Sequence, residues 1–460
     1  MSDSTLADKA VDNMPDPNFA FRSDSYAWFV VFMLCLAAII SFIDRQIISL
    51  LVDPIKADLG ISDTQVSLLQ GFAFALFYSA AAIPMGRLVD AKNRKKIILA
   101  GMVVWSFATA LCGLAKVFWQ LFMARMLVGV GEATLSPAGM SMLSDYFPRK
   151  SLTRALSVFT GSSFLGTGIA LVVGGFVINM MNEIGPVDAG FLGTIRPWQM
   201  TFLIVSVPGL ILAVFVWLLV REPPRIGTAK ENLNQQDQAI PLRQAWQYLA
   251  DHKTVIVPVV FGFTFLTVAM FSVSAWVPAY FMRTHGMSAG EIGSVFGLYF
   301  VTLGSAGVVT GGLLSDWLKS RGYDDSNVRA GVIAALLATP FLATFALVPD
   351  KDLSLILLAP VVFFGTMPFG TGPSALPLIV PNRLRGQMVA VYLLVANVIG
   401  QGGGPFLVAF FTDFVLGDPN LIRYSISIVC PTVMLIGAAI LFYGRKPFAS
   451  HVAKLDAQFA

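Results

Sequence analysis

Four charged residues stand where charge is expensive. Asp44 and Arg45 interrupt the apolar stretch 27–50, and Arg125 and Glu132 interrupt the stretch 118–142. Placing an ionised side chain in hydrocarbon costs at least ~2.5–3.5 kcal/mol even on lenient insertion scales, so such residues are usually paired and functional. On a helix of about 3.6 residues per turn, the seven-residue step from Arg125 to Glu132 returns to nearly the same face, about 10 Å further along the axis. That face offers an acid and a base in one direction. With Asp44 and Arg45 they make a net-neutral set able to exchange partners. The chemistry expected of such a set is proton coupling together with recognition of a charged head group. Swinging Arg45 or Arg125 toward and away from Glu132 would change how firmly that carboxyl holds a proton. The histidines (His252, His285, His451) fall at span ends or in the tail and make poor proton relays.

The elements that position these residues follow from composition. Of 460 residues, 56% are hydrophobic and 13% charged. A soluble domain carries roughly 25% charged residues, so this chain is a polytopic membrane protein rather than a soluble enzyme or a disordered chain. The three cysteines (Cys35, Cys112, Cys430) lie in separate apolar stretches, where the residue behaves as a small hydrophobe. No local cluster suggests a metal site. No cofactor is expected beyond protons as coupling ion, and no nucleic-acid partner.

Bilayer-length apolar stretches predict twelve helices: 27–50, 64–88, 96–115, 118–142, 153–178, 200–220, 254–281, 289–314, 328–348, 352–374, 385–415 and 422–443. With the N-terminus cytoplasmic, 23 of the 31 basic residues fall in inside segments, which by the positive-inside rule puts both termini in the cytoplasm. The expected organisation is a tail (1–26), a six-helix bundle (27–220), a cytoplasmic linker (221–253), a second six-helix bundle (254–443) and a tail (444–460). Within the linker, 241–251 reads as a short amphipathic helix on the membrane surface that braces the two halves. The halves look related. Met85-Gly86-Arg87-Leu88-Val89-Asp90 closes the second span, and Gly311-Gly312-Leu313-Leu314-Ser315-Asp316 closes the eighth. Parallel six-span repeats of this kind characterise one large class of secondary transporters.

The segment from Gly86 through Asp90 and Arg94 to Lys96 resembles the loop signature of the major facilitator superfamily. A glycine there permits close helix approach, and Gly86, Asp90 and Arg94 with Gly312 and Asp316 are expected to form a cytoplasmic gating latch. The signature's basic residue and second glycine are replaced by Ala91 and Asn93, which weakens the latch. Within that superfamily the N-terminal half resembles the spinster family of lipid transporters. The stretches that carry this are Ile43-Asp44-Arg45, Gly60-Ile-Ser-Asp63, Asn93-Arg94-Lys95, Arg125-Met-Leu-Val-Gly129-Val-Gly131-Glu132-Ala133, Trp198 and Pro208-Gly209. The resemblance implies an all-α fold of two pseudo-symmetric six-helix bundles, with the first and fourth spans lining a central cavity.

The C-terminal half has no counterpart to the buried charges. Its seventh and tenth spans instead carry aromatic and sulfur side chains, among which Phe265, Phe271, Trp276, Met367 and Phe369 are candidates for an apolar cavity wall. One charged wall facing one apolar wall suits a substrate with a polar head and a greasy tail. By resemblance the cargo is a lysophospholipid or sphingoid phosphate, moved by proton-coupled alternating access. A proton-linked exporter of hydrophobic drugs would share both features. A lipid scramblase or membrane-embedded enzyme is the alternative of a different class, although an enzyme should place a nucleophile with histidine or a metal cluster near the interface. The other expected partners are membrane lipids, and the protein is expected to act as a monomer. The short tails and the lack of an Asn-x-Ser/Thr sequon or a sorting signal point to a bacterial inner membrane.

Overall fold

A computed structural model describes residues 24–190, 193–225, 242–381 and 384–459. The expected tail before Asp24 and linker positions 226–241 lie outside these residues. The first half comprises α1 (Asp24–Leu50), a short α2 (Val52–Leu59), α3 (Asp63–Ala91), α4 (Arg94–Cys112), α5 (Phe118–Glu132), α6 (Leu135–Tyr146), α7 (Arg149–Ile184) and α8 (Pro197–Leu219). The second comprises α9 (Leu242–Asp251), α10 (Lys253–His285), α11 (Ala289–Ser320), α12 (Ser326–Leu347), α13 (Lys351–Leu378), α14 (Arg385–Leu416) and α15 (Ile422–Phe459). Among the described residues, eleven helices are long and apolar enough to cross a membrane. The expected fourth span is two helices, α5 and α6, divided at Ala133–Thr134.

Local chemistry sets the helix ends. Gly60 and Gly286 end α2 and α10 in left-handed backbone, with φ of 62° and 64°, which only glycine adopts at little cost. The next helices begin at reciprocal capping boxes, Ser62 with Gln65 and Ser288 with Glu291, each satisfying two otherwise orphaned N–H groups. Prolines such as Pro84, Pro208 and Pro278 lie inside the helices, as membrane helices tolerate more readily than soluble ones. The two-residue strands Val187–Asp188 and Thr194–Ile195 pair antiparallel in the connection between α7 and α8.

Each half packs chiefly on itself: α1 on α7 and α4 on α5 and α8 in the first, α10 and α12 on α15 in the second. The halves meet along α7–α11 and α3–α14. Glycine decides how closely. A side chain at Gly168 would strike the Gly297 carbonyl, and one at Gly71 would strike the Gln401 carbonyl. The Gly168 and Gln401 contacts fall near mid-helix, and a Cβ at Gly175 would lie 2.5 Å from the Ala289 carbonyl, at the end that the basic-residue count assigns to the outside. At the opposite end, Ile83 of α3 and Leu313 of α11 are exposed, and a Cβ at Gly86 or Gly312 would meet nothing within 4 Å. The linker helix α9 docks on the second half through the Tyr248 hydroxyl, which donates to the Ile379 carbonyl at 2.9 Å.

Candidate functional site

The break after Glu132 is part of the site's construction. A Cβ at Gly129 would lie 2.8 Å from the Phe74 carbonyl of α3, and one at Gly131 would lie 2.7 Å from the Trp105 amide of α4. Helix α5 can approach both neighbours only because glycine stands at these positions. The Thr134 hydroxyl donates to the Gly131 carbonyl at 2.9 Å, and the turn ends α5 with Glu132 as its last residue. Glu132 is thereby fixed at a helix end inside the bundle.

Asp44, Arg45, Arg125 and Glu132 come together in one cluster. Arg45 Nη2 donates to Glu132 Oε2 at 2.5 Å, with side-chain exposures of 17% and 1%. The Arg45 guanidinium also lies over three rings, at 4.7 Å from Phe42, 4.2 Å from Phe74 and 5.5 Å from Tyr78, a cation–π enclosure. Arg125 does something else. Its Nη1 donates to the Asp44 backbone carbonyl at 2.8 Å, and its Nε donates to the Leu69 carbonyl at 3.3 Å. Sequence spacing left both arginines open as partners of Glu132; the structure selects Arg45 and sets Arg125 as a tie between α1, α3 and α5. The Asp44 carboxyl is fully buried and forms no ion pair among the described residues; the Thr109 hydroxyl of α4 is the side chain within reach of it. Arg45 Nε and Arg125 Nη2 have no hydrogen-bond partner among the described residues. Partly satisfied buried networks are costly.

The expected apolar wall is smaller than the sequence suggested. Trp276 is fully buried and donates from Nε1 to the Pro405 carbonyl at 2.9 Å. Met367 is buried beside Gly311 of α11, and Phe265 packs on Gly437 of α15. Trp276 and Met367 are thus packed inside the second half, whereas Phe265 is half-buried with its Cβ against α15. Phe271 and Phe369 remain, in edge contact at 5.9 Å, and Phe164 of α7 joins them at 5.8 Å from Phe369. The apolar wall is therefore an aromatic group shared by both halves.

The expected latch is not engaged. Gly86 and Gly312 make no close approach, and Asp90 and Asp316 are exposed. Arg94, expected in the latch with Gly312 and Asp316, instead turns into its own half. It is buried, ion-paired with Asp145 and with Glu222 at 2.8 Å, and its Nη2 donates to the Pro223 carbonyl at 3.0 Å. Arg94 thus ties α4 to α6 and to the end of α8, all within the first half.

Sequence reasoning missed the contacts that close the opposite end. Arg283 of α10 spans the two halves, donating to Asp53 Oδ1 at 2.6 Å and to both Asp63 oxygens at 2.8 Å. Lys56 adds a second cation, 2.5 Å from Asp63. Asp413 Oδ2 accepts from Thr64 N at 2.7 Å and Thr64 Oγ1 at 2.6 Å. A signal existed for Asp413, which lies inside the expected span 385–415 between Phe411 and Phe414. For Arg283 and Asp63, both near span ends where charge is ordinary, there was none.

The profile of the Major Facilitator Superfamily matches residues 34–405. The chain is 26% identical over 416 residues to an MFS-type efflux pump of Mycolicibacterium smegmatis, covering 90% of this chain and 91% of that one. It is 24% identical over 457 residues to the sphingosine-1-phosphate transporter SPNS2 of mouse, covering 93% and 78% respectively. Among solved structures, a bacterial homologue of the human lysosomal transporter spinster, described as inward-facing and unoccupied, superposes with a TM-score of 0.76 at 24% identity, covering 94% of this chain and 98% of that one. The expected class of fold is shown, as is an integral, multi-pass membrane protein.

Proposed function

Since the chain belongs to the major facilitator superfamily and is a transporter rather than an enzyme, we propose that it carries a single-chain amphipath such as a lysophospholipid or sphingoid phosphate, driven by protons. One observation carries this reading. The two buried acids of the cluster stand in different surroundings, Glu132 ion-paired with Arg45 and Asp44 without an ion-pair partner, beside the Thr109 hydroxyl. An ionised carboxylate buried without an ion-pair partner bears a large desolvation cost, so the proton is assigned to Asp44 in this conformation. Arg45 is the one member of the cluster that is appreciably exposed. A phosphate head group arriving there would compete with Glu132 for the guanidinium, which binds phosphate well through paired N–H donors. Deprived of its partner, Glu132 would take up a proton. Substrate and proton then bind together and travel together.

The tail would lie along Phe271, Phe369 and Phe164, the aromatic group on the facing side. With the N-terminus cytoplasmic, the closed end is the outer one and the conformation is inward-facing. A bacterial inner membrane fits this arrangement. A second reading, a proton-linked exporter of hydrophobic drugs, is supported by the similarity to the mycobacterial efflux pump. The test is uptake into proteoliposomes with and without an imposed pH gradient, across lysolipids of different head group and a panel of cationic dyes. Gradient-stimulated movement of phosphate-bearing lysolipids supports the first reading. Movement of dyes alone supports the second, and lipid movement indifferent to the gradient would indicate a scramblase.

A further inference from the structure

Helix α3 begins with a need that its own half does not meet. The first N–H groups of any helix lack intrahelical acceptors. At the start of α3 the Ser62 hydroxyl accepts from Gln65 N alone. The Thr64 amide is satisfied instead from the other half, by the Asp413 carboxylate of α14, which also accepts from the Thr64 hydroxyl. A carboxylate at a helix N-terminus is favoured by the helix dipole as well.

The C-terminal half is built locally to deliver that carboxylate. Residues Phe411–Leu416 form a π-helical turn, a geometry uncommon in itself and frequent at functional positions. Phe410 and Phe414 are 44% and 68% exposed, whereas the intervening Asp413 meets the first half. Thr412 anchors the turn through its hydroxyl, which bonds the Val408 carbonyl at 2.9 Å and Ser425 Oγ at 2.7 Å. Gly417 closes it with φ of 72°.

We infer that Asp413 is a gating residue: a helix cap supplied in trans, which locks the outer ends of α3 and α14 together and is lost whenever they part. It acts beside the Arg283 ion cluster but by different chemistry, since its partner Thr64 is neutral. The inference rests on alternating access but on neither the identity of the substrate nor proton coupling, so failure of the transport reading leaves it standing. The test uses full-length protein in nanodiscs, with spin labels at Glu183 and Lys351, exposed positions at the closed end of opposite halves. Without substrate or pH gradient, Asp413→Leu should raise the ratio of outward-open to outward-closed molecules about tenfold, the scale of a lost charge-assisted hydrogen bond. Asp413→Asn, which keeps a neutral acceptor, should shift it less. If Asp413→Leu fails to fold, Thr64→Val decides, since it keeps the carboxylate and the amide contact while removing the hydroxyl: a small shift toward outward-open supports the cap. An unchanged distance distribution in the folded Leu variant, or in Thr64→Val where that variant must decide, overturns it.

Discussion

Replacing Arg283 by alanine should release the outer end. The guanidinium is 7% exposed and divides its donors between Asp63, fully buried, and Asp53, 44% exposed. Removing one partner of a buried ion pair costs about 3–5 kcal/mol, because it strands the other charge. Lys56 remains 2.5 Å from Asp63, which places the loss at the lower end of that range. The exposed Asp53 adds no more than ~1 kcal/mol. A penalty of about 3 kcal/mol confined to the outward-closed state shifts the conformational ratio roughly a hundredfold toward outward-open. Spin labels at Glu183 and Lys351 should report a longer distance, and maleimide should react faster with a cysteine placed at Ser274, which accepts from Gln46 at 2.8 Å across the halves. A folded Arg283→Ala protein with unchanged distances and unchanged labelling would show that the ion cluster is not a gate.

Asp90→Asn should move the same equilibrium the other way, further toward the inward-facing state, with little change in thermal stability because Asp90 is exposed in this conformation; unchanged cross-linking between the cytoplasmic ends of α3 and α14 would remove the latch. Gly297→Ala should loosen the contact of α7 with α11, since its Cβ would lie 2.5 Å from the Gly168 carbonyl, and cross-linking between these helices should fall. Cysteines replacing Lys56 and Lys351 should be labelled from outside, and those replacing Lys92 and Arg321 from inside; any one on the wrong side breaks the proposed topology.

Hydropathy read the helices well because a bilayer span leaves a long apolar signature, so the expected 27–50 and 64–88 lie within α1 and α3. It could not read the division of the fourth span, because the turn at Ala133–Thr134 leaves the apolar run 118–142 unbroken in composition. The buried charges were legible through their rarity. Which arginine serves Glu132 was not, since Arg125 and Glu132 share a helix face and only the seating of α5 against α1 turns Arg125 toward the Asp44 carbonyl. The apolar wall was least legible. On a helix with apolar residues all round, nothing local separates Trp276, buried against Pro405, from Phe271, which meets Phe369. Arg94 misled for a related reason: the loop signature assigns it to a latch between the halves, and only the fold brings Asp145 and Glu222 of its own half to it.

The central claim is that Glu132 exchanges Arg45 for a proton during transport, and Glu132→Gln tests it most directly. The substitution imitates the protonated acid and frees Arg45, whose guanidinium is still held over Phe42, Phe74 and Tyr78. The cost of stranding an arginine is measured separately as thermal stability. The decisive measurement sets downhill substrate exchange, which needs no proton movement, against uptake driven by a pH gradient in the same proteoliposomes. The account predicts that Glu132→Gln retains exchange and loses acceleration by the gradient. Equal loss of both in a well-folded protein would make Glu132 a substrate ligand or a structural pair, and retention of both would contradict the coupling mechanism outright.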